Sequence, residues 1–238
     1  GRYYQFGEYV EKDEKRASSI FVDLAGKGHW GSRGWCHEYG YDPYENSIEK
    51  AVECYRKGVE EGDEVSLSSL GVCYDNGTGV DKNEKEAASL YHRAAEKGHA
   101  IAINSLGYCY GNGTGVEVDM KKAVQLHSQA ADKGLAAAIF NLAFCYEYGK
   151  GVKKDKKKAV QLYSQAADKG HATAISNLAV CYEYGAGVEK DEEKAIDMYK
   201  KAADLGIAFA LNSLKRLGIA YTPCPPKQEQ QQQQEEEE

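Results

Sequence analysis

Cys73, Cys109, Cys145 and Cys181 stand 36 residues apart, and so do Ala51, Ala87, Ala123, Ala159 and Ala195. Gly62, Gly98, Gly134, Gly170 and Gly206 keep the same step, and a tyrosine follows each cysteine: Tyr74, Tyr110, Tyr146 and Tyr182. A pair of glycines followed by valine closes each copy, at Gly77/Gly79, Gly113/Gly115, Gly149/Gly151 and Gly185/Gly187. A chain that repeats itself at this interval folds as a stack of supersecondary units, because one unit cannot bury its apolar face alone. Its core grows along one axis, so the 238 residues carry little information about domain number.

Each unit reads as two helices. In the stretch from Asp155 to Gly187, the residues Ala159, Leu162, Tyr163, Ala166 and Ala167 fall at helical spacing on one stripe. Gly170 stops that helix, since glycine accepts left-handed geometry without a Cβ penalty. A second helix carries Ala172, Ala174, Ile175, Leu178, Ala179, Cys181 and Tyr182, and Gly185 ends it. The position before each first helix holds Asp13, Ser47, Asn83, Asp119, Asp155 or Asp191, all favoured N-caps. Those residues were not used to find the period, so they support it independently. The array is expected over residues 1–219, with helix pairs beginning near 13, 47, 83, 119, 155 and 191. A partial unit precedes them, because Tyr4-Gln5-Phe6-Gly7 matches Tyr182-Glu183-Tyr184-Gly185. The start at Gly1 then falls inside a unit, and the chain is expected to be cut from a longer array. Residues 220–238 read as a proline-containing break followed by a disordered Gln/Glu tract.

The segments Ala102 to Val116 and Asp155 to Gly170 resemble the Sel-1-like repeat, a relative of the tetratricopeptide repeat. The resemblance implies an all-α, right-handed superhelical solenoid of about six units, in which the first helices line the concave face. It also implies adaptor roles, in signalling assemblies or in quality control within the endoplasmic reticulum. Two places depart from the pattern. The second helix is shortened at Trp30 to Trp35, and Gly58-Val59 replaces an Ala-Ala pair.

Most motifs that suggest chemistry have a plainer structural reading. The seven cysteines include no CxxC, and members of the periodic series lie one stacked helix apart, about 8–10 Å. A disulfide needs Cα atoms within about 7 Å, so the series reads as buried thiols. The resemblance offers a Cys54–Cys73 bridge, but cysteine-rich secreted relatives carry a pair in every unit. Gly26 to Gly31 spells GxGxxG but lies in an inter-helix turn with no preceding strand. Ser47 to Lys50 spells SxxK, yet Ser47 holds a cap position. The lysines from Lys153 to Lys158 read as a solvated run. Asn76-Gly77-Thr78 and Asn112-Gly113-Thr114 are glycosylation sequons that also read as turns. A cytoplasmic location is expected, with the endoplasmic-reticulum lumen as the alternative the sequons offer.

Binding is expected at positions that vary between units. On the first helices one polar face carries Glu53, Ser89, Gln125, Gln161 and Asp197, then Arg56, His92, Ser128, Ser164 and Lys200. Its edge is acidic throughout, at Glu60, Glu96, Asp132, Asp168 and Asp204. Such a face suits a protein or peptide ligand carrying basic residues. A net charge of -7 argues against nucleic acid, and no apolar run approaches a membrane span of about 18 residues. No enzymatic activity, cofactor or metal is expected. A non-enzymatic scaffold is the leading reading. The recruiting region of a larger enzyme assembly, such as a kinase or ubiquitin ligase, is the alternative.

Overall fold

The computed structural model describes residues 14–224. They form twelve helices: α1 Glu14–Gly26, α2 Trp30–Tyr39, α3 Ile48–Glu60, α4 Glu64–Asn76, α5 Glu84–Glu96 and α6 Ala100–Asn112, then α7 Met120–Asp132, α8 Ala136–Tyr148, α9 Lys156–Asp168, α10 Ala172–Tyr184, α11 Glu192–Asp204 and α12 Ala208–Arg216. There is no strand among the described residues. Each helix packs on the one before and the one after, which makes the array an α-solenoid. The odd-numbered helices form a first series and the even-numbered ones a second. Asp13, the partial first unit and the Gln/Glu tract lie outside the described residues.

The predicted caps are present. Ser47, Asn83, Asp119, Asp155 and Asp191 each accept a hydrogen bond from the backbone N–H three residues on. This satisfies one donor that the helix start leaves open. Replacing Asp155 by alanine should cost about 1 kcal/mol, and by asparagine a few tenths, as read from urea midpoints. The second series is capped differently. His99 Nδ1 accepts from the Ala102 N–H at 3.3 Å, and His171 Nδ1 from the Ala174 N–H at 3.2 Å. The recurrence of these histidines therefore has a local cause, which requires an unprotonated Nδ1.

Tyr55, Tyr91, Tyr163 and Tyr199, at one repeated position of the first series, are buried in the core. The second-series tyrosines Tyr74, Tyr110, Tyr146 and Tyr182 are only half-buried. Three of them are covered by a lysine from the next helix. Lys122, Lys158 and Lys194 place Nζ 4.1–4.3 Å from the ring centroids of Tyr110, Tyr146 and Tyr182. Lys122 and Lys158 also donate to the hydroxyls, at 2.6 and 2.8 Å. Glu86 occupies the corresponding position opposite Tyr74, so that ring has no such cover.

The irregular second unit is repaired by tryptophan. A Cβ at Gly58 would lie 2.0 Å from Ser66 Oγ and 2.9 Å from Trp30 Cβ, so glycine there admits both neighbours. Trp30 Nε1 in turn donates to Glu61 at 2.7 Å. The shortened helix is real, with α2 three residues shorter than the others of its series up to α10.

Candidate functional site

The buried tyrosines carry hydroxyls that need partners, and the preceding second-series helix supplies them. Tyr55 donates to Glu38 at 2.5 Å, Tyr163 to Glu147 at 2.6 Å and Tyr199 to Glu183 at 2.7 Å. Burial, and then the carboxylate acceptor, push the phenols of Tyr163 and Tyr199 well above the usual tyrosine range. One unit breaks the scheme at both ends. His127 replaces the tyrosine and Gly111 replaces the acid. His127 instead bonds Asn104 through Nδ1 at 2.8 Å, and Asn104 accepts from Asn141 at 3.0 Å. Burial lowers the His127 pKa to about 4.

Glu183 carries a second contact. Arg216 of α12 donates to its other carboxylate oxygen at 2.6 Å. Burial opposes the charge on Glu183, but the bonds from Tyr199 and Arg216 outweigh it and hold its carboxyl below the ordinary glutamate range. In the other units the position of Arg216 holds Val72, Tyr108, Phe144 and Val180. Glu38 and Glu147 are accordingly without a cation, making no ion pair among the described residues.

Most residues of the expected first-series face lie at the surface. Glu53, Arg56 and Glu60 on α3, Ser89, His92 and Glu96 on α5, Gln125 and Asp132 on α7, Gln161 and Asp168 on α9, and Asp197 on α11 are exposed. Ser128, Ser164 and Lys200 are half-buried. Part of this face is engaged internally: Lys57 pairs with Glu53 at 2.9 Å, and His92 lies 3.6 Å from Glu96.

A second surface was missed by reading the sequence. Tyr39, Tyr108, Tyr148, Tyr184 and Phe209 are exposed, and all lie on second-series helices. Tyr148 packs on Phe144 with centroids 4.5 Å apart, and Tyr39 stacks toward Trp35 at 5.4 Å and Tyr41 at 5.9 Å. Tyr39, Tyr148 and Tyr184 share one position, immediately after the tyrosine-bound acid; Asn76 and Asn112 of the two sequons fill it elsewhere. The available signal was an aromatic one residue before the first glycine of the closing pair. It was hidden because two of the five copies carry asparagine instead.

No group of acidic, histidine or cysteine side chains among the described residues is arranged to hold a metal. The carboxylates closest to the core serve tyrosines, and Ser47 is bound up as a cap.

Matches to the model of the Sel1 repeat cover residues 1–17, 31–63, 65–99, 100–135, 136–171 and 172–207. The chain belongs to the Sel1 repeat family. Members of this family are generally protein-interaction modules. Among solved structures, a Sel1 repeat protein from Oxalobacter formigenes superposes with a TM-score of 0.75 at 30% identity, covering 87% of this chain and 92% of that one. A protective antigen of uropathogenic Escherichia coli, c5321, matches with a TM-score of 0.68 at 27% identity, over 93% of this chain and 49% of its own. An immunity protein from Pseudomonas aeruginosa, Pa5087, matches with a TM-score of 0.51 at 28% identity, over 68% of this chain and 60% of its own. No curated protein matches. The Sel1 units run from a second-series helix through the following first-series helix, as in 100–135, which spans α6 and α7. In this phase α2, α4, α6, α8 and α10 open the units from residue 31 onward. No helix among the described residues is long and apolar enough to cross a membrane.

Proposed function

We propose that the array is a non-enzymatic scaffold that holds a partner protein or peptide, with the principal contact on the second-series helices. The supporting observation is the separation of fixed from variable positions. Apart from the acidic edge and the loop glycines, residues repeated from unit to unit are buried, half-buried or cap helices, and residues that vary lie exposed along the helix faces. Two such faces compete. The first-series face has the acidic edge and suits a basic ligand by charge alone. The second-series face carries the exposed aromatics, which give large contact area at low entropic cost and concentrate at interfaces. The phase of the Sel1 match favours the latter, because the helices that open each unit are those the family resemblance puts on the concave side. A cytoplasmic location remains our reading of the compartment. The antigen and immunity roles named for two structural neighbours show the same module placed in different service, so we infer no specific partner from them.

The test is capture of partners by the native chain and two variants, followed by titration of the purified partner. Y108A/Y148A/Y184A should lose most of the affinity, on the order of tenfold or more, as aromatic anchors do. E96K/D132K/D168K should keep it, with helicity unchanged in both. Loss confined to the charge-reversed variant would place the site on the first series. A partner that joins an enzyme assembly would favour the recruiting-region alternative.

A further inference from the structure

The contact between Arg216 and Glu183 shows how this fold accepts a cation. The carboxylate is steadied from beneath by the Tyr199 hydroxyl at 2.7 Å, and the guanidinium arrives from above at 2.6 Å. Glu38 repeats the lower half of this arrangement, with Tyr55 donating to one oxygen. The residue that would supply the cation from the next second-series helix is Val72. A pocket of about 190 Å3 opens there, between α2 and α4. Its wall includes Glu38, Trp35, Tyr39, Val72, Asn76 and Thr78. Trp35 is fixed by donating from Nε1 to Ser69 at 2.9 Å, while Tyr39 remains 39% exposed.

We propose that this pocket is an arginine-accepting subsite, filled by an arginine side chain of the partner. One carboxylate, the exposed ring of Tyr39 with buried Trp35 behind it, and otherwise uncharged walls suit a planar, weakly hydrated guanidinium, which bonds a carboxylate and stacks on a ring at once. A lysine ammonium gains less from the stacking and loses more hydration. Arg216 on Glu183 is the intramolecular copy of the contact. Glu147 repeats the carboxylate alone, with Tyr163 donating to it and Tyr148 next to it in the chain. The inference rests on the second-series reading of the binding face but is tested without the partner.

The probe is N-acetyl-arginine methylamide, with its neutral citrulline twin, titrated into the isotopically labelled chain. The readout is the Trp35 indole N–H resonance, one of only two tryptophan signals. Arginine should shift it saturably, and citrulline should not. Glu38→Gln, whose amide oxygen still accepts from Tyr55, should weaken the effect about tenfold, between the limits for exposed and buried charge pairs. Tyr39→Ala, at an exposed position, should weaken it severalfold and guards against a folding defect in the first variant. No arginine shift, an equal shift with citrulline, or an unchanged response in both folded variants would overturn the subsite. If the arginine response holds while partner capture depends only on the first-series face, the pocket exists but does not serve that partner.

Discussion

Gly151→Ala should remove about 3–5 kcal/mol and split the unfolding transition in two, whereas Gly149→Ala should cost about 1–2 kcal/mol and leave it single. The two glycines share one loop and nearly one conformation, with φ of 71° and 72°. Any other residue is strained at both. They differ in what a side chain would meet. At Gly149 the nearest atom to an added Cβ is Lys154 Cβ at 3.2 Å, which has to give by only a few tenths of an ångström. At Gly151 it is the carbonyl oxygen of Met120 at 2.2 Å, in the first turn of α7 and unable to move alone. Gly115 and Gly187 press on Glu84 and Lys156 in the same way, so the second glycine of each closing pair seats its loop on the unit before it. In a linear array stability is the sum of unit terms and nearest-neighbour interfaces. Damage at one interface therefore uncouples the two sides of the stack. Urea melts followed by both circular dichroism and tyrosine fluorescence would show the split. A single, coincident transition for Gly151→Ala would show that the loop adapts.

Acid should weaken the chain through His127 before its carboxylates titrate. The unfolded imidazole has a pKa of about 6.5 and the folded one about 4. Between these values the unfolded state binds a proton that the folded state does not, so stability falls as pH falls. The stabilisation is complete above about pH 6.5. About 2 kcal/mol of it is gone at about pH 5, and about 3 kcal/mol below about pH 4, where this group contributes no further loss. His171 acts in the same direction, since burial lowers its pKa and protonation would remove the cap it gives Ala174. The double variant His127→Tyr with Gly111→Glu restores the tyrosine–acid pair of the neighbouring units. Gly107 leaves room for the ring, as Gly71 does for Tyr91. Between about pH 7.5 and pH 5 the variant should lose about 2 kcal/mol less than the native chain. Equal losses would show that His127 is hydrated or reorganised in solution.

The elements recoverable from sequence are those whose partners are close along the chain. A cap such as Asp119 reaches the Lys122 N–H, and a stop such as Gly149 acts on the turn just before it. The tyrosine–acid pairs were harder, because Tyr163 and Glu147 lie on different helices, 16 residues apart. Their signature was nonetheless present, since the unit that loses the tyrosine also loses the acid. Which face binds is harder to read from a periodic sequence. A 36-residue period has no natural origin, so calling the capped helix first was a choice of phase, and the concave lining implied by resemblance moved with it. The constant acidic edge at Glu96, Asp132 and Asp168 is plain in the sequence, whereas nothing there sets Tyr148 and Tyr184 apart from Tyr146 and Tyr182. Only the packing separates Tyr148, which is exposed, from Tyr146 two residues earlier, which lies under a lysine.

The cysteines give the array a built-in stopwatch. Five consecutive units each hide a thiol of the periodic series, at Cys36, Cys73, Cys109, Cys145 and Cys181, and Cys54 is hidden as well, while Cys224 alone is exposed. Burial pushes the thiols of Cys36, Cys109 and Cys181 up to about 11 and that of Cys73 to about 12, so they are inert until their unit opens. Cys224 labels at once and sets zero time. The order in which the others follow then reports which stretch of the stack breathes most often, without any foreign probe placed in the core.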